Sequence, residues 1–375
     1  MMSTPRSGQF DSWLLVAATT VFVLTAERYL QGFGRPNSHQ PHRNAEASSP
    51  ETDPAHAAAQ PGRGRRSINP FTIPWAGWKD ILWRTYPRID DDRLLATAAG
   101  VVFFGLLAIF PAVTALVSFY GLFADPMTIG DNLQTLAVML PEGTYQIIGD
   151  QVARVVSKGN AELGTTFLFG LVLAIWSANA GVKAIIDALN VAYEEREKRS
   201  FIRLNMVSLA FTVGGIVALL LMVGAVVAFP LALDHLRLAP ASKLIIAVAR
   251  WPLLLVFLLA ALALLYRLAP SRDAPRWQWL SVGAVTAAVL WIAGSALLSW
   301  YLSAFANYNA TYGSLGAAIG LMMWMWMSVI VIMFGAELNS EIERQTLHDT
   351  TTGRPKPLGS REAVSADTVG AAAPT

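Results

Sequence analysis

The chain has 375 residues, of which 54% are hydrophobic and 14% charged, with a net charge of +2 and no cysteine. A soluble domain carries about 25% charged residues, so one water-soluble globule cannot hide this much apolar surface, and the chain reads as membrane-embedded. The near-neutral charge carries no signature of nucleic-acid binding, and the absence of cysteine excludes a disulfide framework, a thiolate nucleophile and a cysteine metal site.

Residues 1–30 contain an apolar run, Trp13 to Ala26, shorter than the roughly 20 residues of a perpendicular span. It reads as a short extra membrane helix, a signal-like segment or a surface helix. Residues 31–72 are rich in Pro, Ser, Ala, Gly, His and Arg without periodicity, the composition of a disordered linker. A membrane domain is expected over 73–345 and a disordered tail over 346–375.

The membrane domain opens with Trp75, Trp78, Leu82 and Tyr86 at helical spacing. This pattern predicts an amphipathic helix lying in the membrane surface or docked on the bundle. Six long apolar spans follow, over 94–123, 163–187, 204–229, 244–266, 279–305 and 315–336. Pro111 in the first and Pro252 in the fourth remove backbone donors and predict kinks. Gly214 and Gly215 predict close helix approach in the third. Between the first two spans, Ile148, Val152, Val155 and Val156 suggest short amphipathic helices over the outer face. The fold class is therefore all-α, a polytopic membrane helix bundle with six core spans. Basic residues concentrate in alternate loops, at Arg84, Arg88 and Arg93, at Arg196 to Arg203, and at Arg267 to Arg276, which puts both ends of the six-span core in the cytoplasm.

Chemistry can reside where polar groups interrupt the spans, because an ionisable group in a bilayer must be paired or wetted. Asn179, Lys183, Asp187 and Asn190 lie within an arc of roughly 80° on the second span. They form either a helix end facing water or the wall of a wet groove. Glu337, Asn339 and Glu341 follow the sixth span, and Glu337 is the expected partner of Lys183 or Asp187 across the bundle. Arg250 on the fourth span suits a lipid phosphate or snorkels outward. Asn309 and Tyr312 crowd the last outer turn, as an interfacial belt or an outer gate. Trp324 and Trp326 among methionines read as packing. The histidines His39, His42, His56, His235 and His348 have no metal-ligand spacing, no phosphate loop or nucleophile elbow is present, and no cofactor, metal or catalytic residue is expected.

Several stretches together resemble the YihY/BrkB family of bacterial inner-membrane proteins. They are Ala98 to Pro111, Tyr266-Arg267-Leu268-Ala269-Pro270, Tyr312-Gly313-Ser314-Leu315-Gly316 and Phe334-Gly335-Ala336-Glu337-Leu338-Asn339. The resemblance covers about 75–343 and implies a six-helix inner-membrane protein. Members have carried a ribonuclease label, for which this chain lacks a metal-binding cluster of histidine and aspartate. Others have been linked to serum resistance and lipid handling. The residues and the resemblance lead to one expectation, a non-enzymatic membrane protein that moves or presents a lipid or another anionic amphiphile. The alternative is a scaffold for envelope machinery. Membrane lipids are the expected partners, with envelope proteins and a second copy of the chain as further candidates.

Overall fold

The computed structural model describes residues 53, 56–57, 60–123, 160–223, 240–304 and 315–374. The apolar run at 13–26, the outer-loop amphipathic helices, Asn309 and Tyr312 lie outside them. Among the described residues the fold is helical. A 3-10 turn, Pro70–Thr72, precedes α1 (Trp75–Asp91), α2 (Leu94–Phe123), α3 (Asn160–Ala192), α4 (Phe201–Val223), α5 (Pro240–Leu268), α6 (Trp277–Ala304), α7 (Leu315–Glu343) and a short α8 (Val364–Asp367). Six of these, α2 to α7, are long and apolar enough to cross a membrane. Large side chains such as Phe110, Phe169, Leu220 and Leu253 are exposed on them, as helices surrounded by lipid require.

The helices run on through their prolines, Pro111 in α2 and Pro252 in α5. In α2 the hydroxyl of Thr114 donates to the Phe110 carbonyl beside Pro111, at 2.9 Å. Packing follows small residues, as it must where lipid removes the hydrophobic drive between helices. α2 lies along α3, and α6 lies along α7. The α6–α7 seam is backbone on backbone: a side chain at Gly283 would strike the Gly335 carbonyl and the Asn339 side chain. Tyr266 of α5 locks onto this seam by donating to the Ile332 carbonyl at 2.8 Å. Gly214 and Gly215, by contrast, face open space rather than a neighbouring helix.

Two segments differ from expectation. Residues 60–72 and 346–374, read as linker and tail from their lack of periodicity, are laid against the basic end of the bundle. The Leu347 amide donates to the Arg65 carbonyl at 2.9 Å, the Arg276 amide to Thr350 at 2.9 Å, and the Gly370 amide to Arg344 at 3.0 Å. Arg361, nearly buried, donates to the carbonyls of Leu347, His348 and Ala366 at 2.8, 3.1 and 2.6 Å. Order here comes from arginine side chains satisfying backbone carbonyls, which leaves no hydrophobic period to read. Similarly, α1 turns its polar residues inward. Asp80, Arg84, Thr85 and Arg88 are buried with Gly77 and Ile81, while Trp75, Leu82, Trp83 and Tyr86 are exposed.

Candidate functional site

Between α4 and α5 lies a cavity of about 1090 Å³. α4 rests on α3, and α5 rests on α6, so the gap between them is floored by Val182 and Ile185 of α3 and Ile332 of α7. Its walls are apolar: Val207, Phe211 and Ala218 on one side, Phe257, Leu258 and Leu265 on the other. Leu264 and Leu268, exposed on the outside of the bundle, also line it, so the cavity communicates with the surrounding lipid. Gly214 and Gly215 widen it by offering no side chain.

The cavity's mouth is mainly basic, with Lys198, Arg199, Arg203, Arg267 and Arg272 beside Asp273 and Glu362 along its rim. Three of these are committed elsewhere. Lys198 pairs with Glu195 at 2.9 Å, Arg199 with Glu197 at 2.7 Å, and Arg272 with Glu343 at 2.6 Å. Burial alone would raise Glu197, but the hydrogen bonds from Arg199 outweigh it and hold the carboxyl below its usual range. Arg267 lies over the Trp277 ring at 4.3 Å, and its Nη1 is buried without an acceptor. The exposed guanidinium of Arg203 makes no hydrogen bond or ion pair with a described residue. The mouth thus keeps two guanidiniums with donors to spare, above a slot that accepts apolar chains. Arginine's planar fork suits a phosphate or carboxylate head group.

A second polar centre lies where α1, the α1–α2 corner and α7 meet. Glu341 on α7 is buried and faces Arg84 at 2.5 Å, Arg88 at 3.8 Å and Arg344 at 3.9 Å. Glu194 bonds Arg88 and, at 2.8 Å, Arg344. Arg93 and Glu194 both adopt left-handed backbone, with φ of 49° and 54°. Such turns are costly for residues with a Cβ and persist where surrounding contacts fix them. Here they turn the chain beside Asp92 and aim Glu194 between two arginines. Glu337 is 1% exposed and faces Asp92. Burial raises Asp92 above the usual carboxylate range, against the contact with Glu337 and the charge of Arg88. Further out, burial and then Arg84 pull Arg65 down to about 10, with Asp80 opposing.

The sequence-derived residues separate accordingly. Asn190 is a structural clasp: its Oδ1 accepts from the Ser271 amide at 2.7 Å, and its Nδ2 donates to Glu197 at 3.1 Å. Asn179 accepts from Thr212 of α4 at 3.4 Å. Asp187 is exposed within the fields of Glu197, Arg199 and Lys183. The charges bearing most on Glu337 are Asp92, Arg88 and Glu341, and neither Lys183 nor Asp187 is among them. Asn339 is buried and accepts from the Gly283 amide at 2.8 Å. The side chain of Arg250 lies outside the described residues. Trp324 and Trp326 donate to Ser295 and to the Leu95 carbonyl, as packing residues do. Arg203, Arg267 and Asp92 were missed as site residues. Arg203 and Arg267 were counted only as loop charges, and nothing in sequence spacing brings α4 and α5 to one slot.

Residues 85–358 match the family described as virulence factor BrkB. The chain belongs to the BrkB family. Among its relatives is a ribonuclease-like protein, YfkH, of Bacillus subtilis (strain 168), 32% identical over 252 residues, which are 66% of this chain and 90% of that one. Another is the UPF0761 membrane protein VV0203 of Vibrio vulnificus (strain YJ016), 26% identical over 261 residues, 68% of this chain and 80% of the relative. A third, the UPF0761 membrane protein NMB0524 of Neisseria meningitidis serogroup B, is 23% identical over 263 residues, 69% and 62% of the two chains. No solved structure matches. Within this BrkB-family chain, no group of three or more His, Asp or Glu among the described residues is placed to hold a metal ion.

Proposed function

We propose that this BrkB-family protein takes a lipid or another anionic amphiphile into the slot between α4 and α5 and moves or presents it across the inner membrane. The apolar chains lie against Phe211, Phe257 and Leu265, and the head group sits at Arg203 and Arg267. The observation that carries this reading is one cavity combining apolar walls open to lipid with a rim of basic residues. Its volume of about 1090 Å³ exceeds the roughly 300–1,000 Å³ of ordinary small-molecule pockets, which suits a two-chain lipid. By the positive-inside rule the rim faces the cytoplasm. The path expected through Lys183 and Glu337 is replaced in this reading by the α4–α5 slot, which would hold an amphiphile without placing a bare charge in lipid.

The test is movement of fluorescent phosphatidylglycerol between leaflets of proteoliposomes holding the purified full chain, read by dithionite bleaching. Wild-type protein should accelerate the slow bleaching phase, and Arg203→Glu should slow it at least several-fold. No acceleration from demonstrably folded protein, or a rate indifferent to Arg203→Glu, overturns the reading in favour of the scaffold role.

A further inference from the structure

The slot makes no use of Glu337, whose surroundings are chemically incomplete. Its side chain is buried within α7, and neither Oε1 nor Oε2 accepts a hydrogen bond from a described donor. The group it faces is the carboxyl of Asp92, close enough for one carboxyl to donate to the other. Two ionised carboxylates are acceptors only, and out of water they repel. The arrangement closes only if one of them carries a proton.

The neighbours lead to the same count. Arg88 of α1 pairs with Asp92 at 3.5 Å, with Glu194 beyond α3, and more distantly with Glu341. Arg344, past the end of α7, pairs with Glu194 and Glu341, and Arg84 of α1 pairs with Glu341. Three guanidiniums, Arg84, Arg88 and Arg344, thus face four carboxyls, Asp92, Glu194, Glu337 and Glu341. One negative charge is left over, and Glu337 and Glu341 are both out of reach of water. Two further buried polar atoms, Tyr193 Oη and Asn339 Nδ2, are placed to bond each other. Tyr193 feels the charge of Glu337, so these atoms border the same pocket. Glu343 is balanced separately by Arg272.

We propose that Asp92 and Glu337 together bind a single proton, making the corner between α1, α2 and α7 a protonation site. Holding the proton neutralises the network and lets α7 dock on the α1–α2 corner. Releasing it leaves a surplus charge between them. The raised affinity of the partly buried Asp92 for its proton points the same way. α7 also supplies Ile332 to the floor of the slot, and the Ile332 carbonyl is held by Tyr266 of α5. Proton binding at Glu337 and the shape of the slot are therefore mechanically joined, a coupling that rests on the slot reading proposed above. The proton site itself does not depend on it.

The experiment is infrared difference spectroscopy of the full chain in lipid, alkaline minus neutral. Wild-type protein should lose a carbonyl stretch of a protonated, unhydrated carboxyl, lying above the amide I band and downshifted in deuterium oxide. Glu337→Gln and Asp92→Asn should each abolish the band, and Asp187→Asn, on exposed α3 surface, should retain it. Thermal melts provide a second readout: the wild-type Tm should fall as pH rises through the titration of the band, while the Glu337→Gln Tm stays level. A folded wild type with no such band overturns the proposal. So does a band that survives both Glu337→Gln and Asp92→Asn. Loss of lipid movement with an intact band would instead strike only the slot reading.

Discussion

Arg84 of α1 and Glu341 of α7 meet at 2.5 Å, with both side chains withdrawn from solvent. Arg84 spends its remaining donors on the Glu341 carbonyl at 3.1 Å, on Gln345 at 2.8 Å and on the Ala371 carbonyl at 2.6 Å. One guanidinium therefore binds the surface helix, the last span and the C-terminal segment into a single unit. Removing one partner of a buried pair strands the other, at a cost of roughly 3–5 kcal/mol. Arg84→Ala should lower stability by about that amount, read as a drop in Tm of the detergent-solubilised protein. Arg84→Lys should restore little, because a point ammonium with three donors cannot reach four acceptors set out for a planar fork. Full rescue by lysine would refute the clasp.

The seam between α6 and α7 makes a sharper steric prediction. A methyl group at Gly283 would overlap the Gly335 carbonyl and displace the Asn339 carboxamide that the Gly283 amide binds. Overpacking of this kind costs about 1–3 kcal/mol. Gly283→Ala should therefore destabilise the bundle. Gly100→Ala, where nothing lies within 4 Å of the added carbon, should be neutral or mildly stabilising. Equal melting temperatures for the two variants would show that the seam is looser than its geometry.

The six spans were legible in the chain because lipid imposes a length and an apolarity that no other environment demands. The end of the sixth was not. Its apolar run stops at Ala336, yet α7 continues to Glu343 because Arg84, Arg88 and Arg344 neutralise Glu341 and Arg272 neutralises Glu343. Three of those arginines, Arg84 and Arg88 on α1 and Arg272 just past α5, are distant in sequence, so no local window contains the reason. Gly214 and Gly215 failed differently: small residues mark either close packing or open space, and only the position of α5 decides between them. Glu337 was legible as a costly charge, but its partner was not. Asp92 lies in the polar stretch Asp90-Asp91-Asp92-Arg93 ahead of the first span, and the left-handed turn at Arg93 that brings it inward has no strong sequence signal.

The C-terminal segment should respond to acid. Asp349 accepts from the amides of Thr351 and Lys356 at 2.9 and 2.8 Å. Burial works against the charge, but these hydrogen bonds outweigh it and hold the carboxyl below its usual range. A depressed folded value means that stabilisation is present above the unfolded value of about 3.9 and is lost as pH falls through the folded one. Limited proteolysis with an acid-active protease should release the segment increasingly below about pH 4. Asp349→Asn should loosen it already at neutral pH, by about 1.5–3 kcal/mol for hydrogen bonds to a charged group. A segment equally protected in both proteins would show that the arginine contacts of Arg84 and Arg361 hold it without Asp349.

The slot can be filled without damaging the walls. Gly214 and Gly215 line it, and an added side-chain carbon at either meets nothing within 4 Å. Leucine there extends into the cavity and also removes a helix-interior glycine, a change worth about 0.8 kcal/mol in favour of the helix in water. Gly215→Leu should therefore fold and melt at or above the wild-type temperature, yet slow phosphatidylglycerol movement several-fold by occupying the space the acyl chains need. The head-group rim remains intact in this variant, so its defect separates chain binding from charge binding. Gly215→Leu combined with Arg203→Glu should be little worse than the slower single variant, since both act on one site and their effects do not add. If Gly215→Leu is well folded and moves lipid at the wild-type rate, the lipid does not pass between α4 and α5. The basic rim would then have to serve something other than a head group held above this slot.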